Sequence, residues 1–260
     1  MAADNASTVL DSLVGMSRRL GEASRDLVIL GDGNTSARID DETFWVKASG
    51  AMLEGISADG FTQIRFAPIL DILQRPPSDD DDMKRLLSAA RVNPNGRHPS
   101  IETVFHALAL TECEAKFVAH THPIALNSIL CARNAREALS GHLFSESALY
   151  LGPAPIIIDY ADPGLPIARS LLGAIRDYLD RWGQPPRVFY LLNHGMVALG
   201  KSAQEAENIT AMAVKAARIL LGTYAIGAPN FISESDVMRI VTRPDEEYRR
   251  KQANTDGLQT

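Results

Sequence analysis

From residue 100 to residue 225, short runs rich in β-branched and aromatic side chains alternate with longer stretches whose apolar residues recur every three or four positions. "PSIETVFHALAL" reads as a helix capped by Ser100, "KFVAHT" as a strand, and "PIALNSILCA" as a helix. "PAPIIIDY" follows as a buried strand and "LPIARSLLGAIRDYLDRW" as an amphipathic helix. "RVFYLLNHGMVALG" holds one or two strands, and Ser202 with Glu205 is a capping box that opens a helix over 203–225. A chain that keeps switching between two-residue and 3.6-residue periods buries both kinds of face by laying helices on sheet, which predicts a layered α/β domain.

The amino-terminal part follows the same pattern. Val9, Leu10, Leu13, Met16 and Leu20 predict an amphipathic helix over 8–26, with Ser7 available as its cap. "TSARID" and "TFWVKASG" flank the turn-prone "DDE" at 40–42 and predict a β-hairpin, and "FTQIRF" a further strand. Segment 74–98 combines Pro, Asn, Gly and four consecutive aspartates, and reads as an inserted acidic loop. Within it Ser78 and Asp79–Asp82 suit the positive end of a helix through "MKRLLSAAR". Consecutive carboxylates cannot all face one ion, which argues against a metal site there. No repeat or linker divides the chain, so one domain over 1–260 is expected, with a carboxy-terminal helical extension over about 227–260.

Composition removes several classes of function. With 260 residues, 45% of them hydrophobic, the chain can bury a large core. A net charge of −6 offers no basic face for nucleic acid. No apolar run suggests a bilayer span, and "MAADNASTVL" lacks a positive region followed by an apolar one, so no membrane role and a cytoplasmic location are expected. Cys113 and Cys131 form neither a disulfide framework nor a CxxC pair and read as inert thiols.

Chemistry concentrates on histidine. In a strand, residues i and i+2 share a face, so His120 and His122 can converge while Thr121 points away. That spacing suits a metal but equally suits a structural pair. His194 lies in another apolar strand and precedes Gly195, which allows close backbone approach; alone it could be a core histidine bonded to the sheet. Glu102 falls in the first turn of an apolar helix, where the dipole favours a carboxylate and where it could also face a metal and move protons. His106 shares its helix face, either packed or supporting the site, and His98 and His142 have no partner pattern.

Taken in order, "GNTS" at 33–36, "VKASG" at 46–50, "PSIE" at 99–102, "HTHP" at 120–123 and "NHG" at 193–195 make the chain resemble the class II aldolase/adducin family from about residue 8 to about 226. The family includes fuculose-phosphate and rhamnulose-phosphate aldolases and ribulose-phosphate 4-epimerases. The resemblance implies a three-layer α/β/α sandwich around a mixed, largely antiparallel sheet, and a homotetramer with sites at subunit boundaries. It implies that His120, His122 and His194 bind a divalent metal, typically zinc, with manganese, cobalt or magnesium as substitutes, and that Glu102 is the acid/base. Asn34, Thr35, Ser49, Gly50 and Ser100 then fall on loops that hold a substrate phosphate, although turn chemistry also explains them.

Three departures bear on the substrate. Ile101 follows Ser100 where the phosphate aldolases have a second hydroxyl residue, and Lys47 stands where they often have threonine. Lys47 reads equally as an exposed strand lysine or as a cation for a phosphate or carboxylate. The tyrosine that fuculose-phosphate aldolase brings from a neighbouring subunit aligns here with Tyr150 only across a gap. The resemblance implies a lyase that cleaves a carbon–carbon bond in a small hydroxylated sugar or sugar phosphate through a metal-stabilised enediolate. A β-keto-acid decarboxylase is the enzymatic alternative. An epimerase ranks below it, because the family's epimerases carry aspartate at the position of Glu102. An adducin-like binding module is the non-catalytic alternative, which the complete ligand set argues against.

Overall fold

The computed structural model describes residues 2–255. The first half runs α1 (Ala2–Leu20), β1 (Asn34–Arg38), β2 (Thr43–Lys47), β3 (Phe61–Arg65), α2 (Phe66–Gln74), α3 (Asp80–Ala89), α4 (Thr103–Glu112) and β4 (Phe117–Thr121). Then come α5 (Ile124–Leu130), α6 (Ala135–Ala138), α7 (Ser145–Leu151), β5 (Ile156–Ile158), α8 (Leu165–Trp182), β6 (Val188–Leu191) and β7 (Gly195–Gly200). The chain closes with α9 (Ala203–Ile226), α10 (Glu234–Val241) and α11 (Pro244–Thr255).

Seven strands form one sheet in the order β3-β2-β1-β4-β7-β6-β5. All neighbours pair antiparallel except β5 with β6, so the sheet is mixed and largely antiparallel, as expected. Strand alternation divides the apolar residues between two cores. On β4, Val118 enters one core and Phe117 and Ala119 the other. The first core is closed by α2, α3, α4 and α8, through residues such as Ile69, Leu87, Phe105 and Leu171. The second is closed by α1, α5 and α9, through Leu13, Met16, Ile129, Ile209 and Ala213. The result is the three-layer α/β/α sandwich.

Several local expectations change. The first helix spans Ala2–Leu20, so Ser7 lies inside it instead of capping it. It stops at Leu20, before Gly21, which packs so close to the Leu53–Glu54 backbone that a Cβ there would clash with Glu54 N; beyond it the chain turns at Asp26, with φ of 55°, and sends Leu27 into the second core. Part of segment 74–98 is helical: Asp79 caps α3 by accepting from the Asp82 N–H at 2.8 Å. Val92 N–H then bonds Gln63 O, which ties the end of that segment to β3. α4 begins at Thr103, and Ser100 Oγ accepts the Glu102 N–H one turn earlier, so Glu102 precedes the helix. "RVFYLLNHGMVALG" forms two strands, and His194 lies in the turn between them, where Asn193 has φ of 57°.

Among the described residues one helix, α9, is by length and composition apolar enough to cross a membrane, contrary to the reading that no run suffices. Here its small and apolar face, Ala206, Ile209, Ala213 and Ala217, packs into the second core. Glu207, in the second turn of α9, is buried and accepts from Arg19 Nε of α1 at 2.9 Å. Residues 256–260, the end of the expected helical extension, lie outside the described residues.

Candidate metal centre

The site forms where β4 ends between β1 and β7. Asn34 of β1 and His120 of β4 are register partners, and strand parity turns Asn34, Ser36 and His120 to the α4 side of the sheet. His122 lies one residue beyond β4, and His194 one residue before β7. The three rings meet edge-on with centroids 4.7, 4.9 and 5.0 Å apart, and one ligand atom from each lies within 4.8 Å of the others. Gly195 makes this approach feasible: a Cβ there would sit 2.6 Å from His122 Cδ2 and 2.6 Å from Thr121 O. A Cβ on Gly33, whose φ is 66°, would similarly sit 2.8 Å from the His120 carbonyl oxygen. The close approach expected at Gly195 is thus to the His122 ring.

The donor chemistry fits a divalent cation. His120 Nδ1 donates to Met196 O at 2.9 Å, and a carbonyl only accepts, so His120 Nε2 is left as a lone pair. His122 Nε2 lies 2.9 Å from it, a contact that needs a proton or a cation between the two nitrogens. Burial, and then the neighbouring imidazoles, hold His120 down to about 3 and His122 to about 4, and burial also lowers His194. All three are therefore neutral at neutral pH, with lone pairs that could serve a cation. His194 Nδ1 and Glu102 Oε1 are buried with no hydrogen-bond partner.

Glu102 reaches the centre from the turn before α4. Its Oε1 lies 3.4 Å from His194 Nε2 and its Oε2 lies 3.5 Å from His120 Nε2. Asn34 Nδ2 donates to Oε2 at 2.5 Å. Asn34 Oδ1 in turn accepts from His106 Nε2, and Ser36 Oγ lies 2.7 Å from His106 Nδ1. An amide oxygen can only accept, so His106 carries its proton on Nε2 and takes the Ser36 hydroxyl proton on Nδ1. Burial pushes His106 down to about 3, so it is the neutral link of this directed chain. His106 was legible only as a helix neighbour of Glu102; the link through Asn34 spans 72 residues of sequence.

The phosphate-loop expectations fare differently. Thr35 points to the opposite face, where its Oγ1 bonds Ser17 Oγ of α1 at 2.7 Å, so its side chain contributes nothing to the centre. The reason is parity: its neighbours Asn34 and Ser36 take the metal side. Asn34 itself lies in a strand with its amide engaged by Glu102 and His106. Ser49 and Gly50 are an exposed turn, with Ser49 N–H already bonded to His98 O at 2.8 Å. Ser100 is half-buried at the entrance to Glu102. Lys47 is buried, not an exposed strand lysine, and donates to Gly31 O at 3.2 Å and to Ala51 O. Burial lowers its pKa, opposed by Glu102 and Asp32. Tyr150 lies on α7, which packs on α9, α10 and α11, away from the strands that carry the histidines. Sequence reasoning missed Asp32, whose Oδ2 lies 3.3 Å from His122 Nδ1, and Arg97, which reaches Ser49 O at 3.5 Å.

Fold and centre together define a three-layer α/β/α protein in which three histidines could hold a divalent metal beside a buried carboxylate. The chain belongs to the family of the Class II Aldolase and Adducin N-terminal domain, whose model matches residues 11–221. It is 27% identical over 207 residues to the uncharacterized oxidoreductase YuxG of Bacillus subtilis, covering 75% of this chain and 27% of that protein. The chain thus spans about a quarter of that relative's length. It is 28% identical over 183 residues to methylthioribulose-1-phosphate dehydratase of Klebsiella pneumoniae, covering 67% of this chain and 76% of that one. Among solved structures, the N-terminal class II aldolase domain of a conserved protein from Thermoplasma acidophilum superimposes with a TM-score of 0.63 at 27% identity, covering 82% of this chain and 93% of that one.

Proposed function

We propose that the protein is a metal-dependent lyase that cleaves a carbon–carbon bond by a retro-aldol reaction in a small hydroxylated sugar or sugar phosphate. The observation that carries this reading is the convergence of three neutral imidazoles on a buried carboxylate whose Oε1 has no hydrogen-bond partner. His120, His122 and His194 would hold the metal, with zinc the ion that three imidazoles suit best. Bound there, a divalent metal supplies Lewis-acid polarisation of a substrate carbonyl.

The chain's own residues do the rest. Glu102 Oε1 carries the proton to or from the carbon next to the carbonyl, while Oε2 stays fixed by Asn34. Phe105 lies edge-on to His120 with centroids 5.5 Å apart and keeps water from that side of the ring. Arg97, Ser49, Gly50 and Ser100 form a rim for the anionic end of a substrate. A homotetramer in the cytoplasm, with the neighbouring copy bordering this rim, belongs to the same reading.

A second reaction, elimination of water from a sugar phosphate, is favoured by the named activity of the Klebsiella relative. It uses the same proton carrier, with the bond to a β-hydroxyl breaking in place of a carbon–carbon bond. The decarboxylase reading, for which Ile101 and Lys47 spoke in the sequence, has the support of a relative named 3-oxo-tetronate 4-phosphate decarboxylase, 25% identical over 187 residues; it loses only Lys47 as a cation for the substrate carboxylate, because that ammonium is already bonded to two carbonyls.

The test is a panel of ketose phosphates and their unphosphorylated forms, given to the zinc-loaded protein with products resolved by NMR. An aldehyde with a three-carbon ketone supports the lyase, and a dehydrated diketone supports the elimination. Glu102→Gln should keep zinc and lose about 10²–10⁴ in kcat, the usual contribution of a positioned acid/base. Full turnover by that variant removes Glu102 from the chemistry.

A further inference from the structure

We propose that Asp32 is a positioning residue for the metal centre: it holds the His122 proton on Nδ1 and so keeps Nε2 as a ligand lone pair. The assignment rests on the reading of His120, His122 and His194 as metal ligands. Asp32 Oδ1 accepts the Ile29 N–H at 2.6 Å, which anchors the carboxylate in its loop, and Oδ2 lies 3.3 Å from His122 Nδ1. His122 Nε2 is the atom that faces His120. The loop is itself tied to the ligand segment, since His122 N–H bonds Leu27 O at 2.8 Å and Ile124 N–H bonds Asp26 O at 3.1 Å.

Neutral His122 has two places for its proton, and they have opposite consequences. On Nε2 the proton bridges to the His120 lone pair 2.9 Å away and blocks both nitrogens toward a cation. On Nδ1 it faces the Asp32 carboxylate, and both Nε2 lone pairs point into the centre. His120 needs no such help, because Met196 O already fixes its proton on Nδ1. His122 has no backbone acceptor of that kind among the described residues, and Asp32 takes that role. A carboxylate behind a ligand imidazole also makes it more basic, and losing such a partner typically weakens metal binding 10–100-fold.

Zinc binding by the full chain, measured by competition with a chromophoric chelator, tests this without any substrate. Asp32→Ala should weaken zinc binding about 10–100-fold. Asp32→Asn should be at least as poor, although its amide oxygen can still accept from Ile29, because the remaining NH₂ donates to Nδ1 and drives the proton onto Nε2. A merely structural role predicts the reverse order, with Asn close to wild type, and that order overturns the proposal. Asp32→Glu should recover part of the affinity. If the variants do not fold, ¹⁵N NMR on the zinc-loaded wild type decides: a His122 Nδ1–H protected from exchange and shifted downfield by a carboxylate acceptor supports the assignment, and an Nδ1–H that exchanges like that of an exposed imidazole overturns it. A wild-type protein that takes up no zinc at all removes the metal reading itself, whereas normal uptake with unaffected Asp32 variants removes only this inference.

Discussion

At the scale of single residues, the centre depends on which atom of each polar group is already engaged. Glu102 has one oxygen held by Asn34 and one without a partner, and the division is enforced by His106 and Ser36 from behind. His106→Phe would keep the stacking on the Phe105 ring but leave Ser36 and Asn34 Oδ1 unpaired in a dry core. Each unsatisfied buried group costs about 1–3 kcal/mol. Urea unfolding of the zinc-free protein should therefore show a loss of that size or twice it, and an unchanged midpoint would show that the chain of bonds contributes nothing. Lys47→Met should likewise lower the unfolding midpoint, since Gly31 and Ala51 carbonyls lose their donor. An effect confined to KM for an anionic substrate would restore Lys47 to substrate binding.

At the scale of elements, the β6–β7 hairpin is the part whose geometry is least forgiving. Its turn places His194, and the first residue of β7 is a glycine against which His122 lies. Gly195→Ala puts a methyl group 2.6 Å from His122 Cδ2 and from a backbone oxygen, so ring and strand must separate. The variant should fold, because the β6–β7 ladder remains, yet bind less than one zinc per chain by metal analysis. Full zinc content would mean that the turn has slack that the observed packing does not suggest. Only one of the two cores faces this chemistry. α4 and α8 enclose the metal side, whereas α1, α5 and α9 close the other.

At the scale of the whole molecule, burying neutral imidazoles couples the centre to stability. His106 and His120 are held to about 3 and His122 to about 4, against 6.5 for an unperturbed histidine. Below pH 6.5 the unfolded chain therefore binds protons that the native chain refuses. Stability of the zinc-free protein is full above that pH and falls as pH drops toward 4. Urea midpoints at pH 7.5 and pH 5 should differ accordingly, and equal midpoints would mean that the imidazoles titrate normally. Zinc at 100 times its Kd should stabilise the fold by about 2.7 kcal/mol, and a chelator should reverse the rise in Tm. The layered architecture and the histidines were legible in the sequence, because hydrophobic period fixes element type and HxH fixes two side chains on one face. Sequence by itself also ordered the five motifs that place the chain in its family. It could not say which face of β1 meets the metal, and a single step of register separates Asn34, bonded to Glu102, from Thr35, bonded to Ser17 on the far side. Nor could it tell that Lys47 is buried, that His106 reaches Asn34, or that Asp32 stands behind His122. Those facts follow from segments as far apart as Asp32 and His122, 90 residues in sequence, meeting around one sheet, where side-chain direction is set by strand pairing and loop anchoring, and only the tertiary structure decides them.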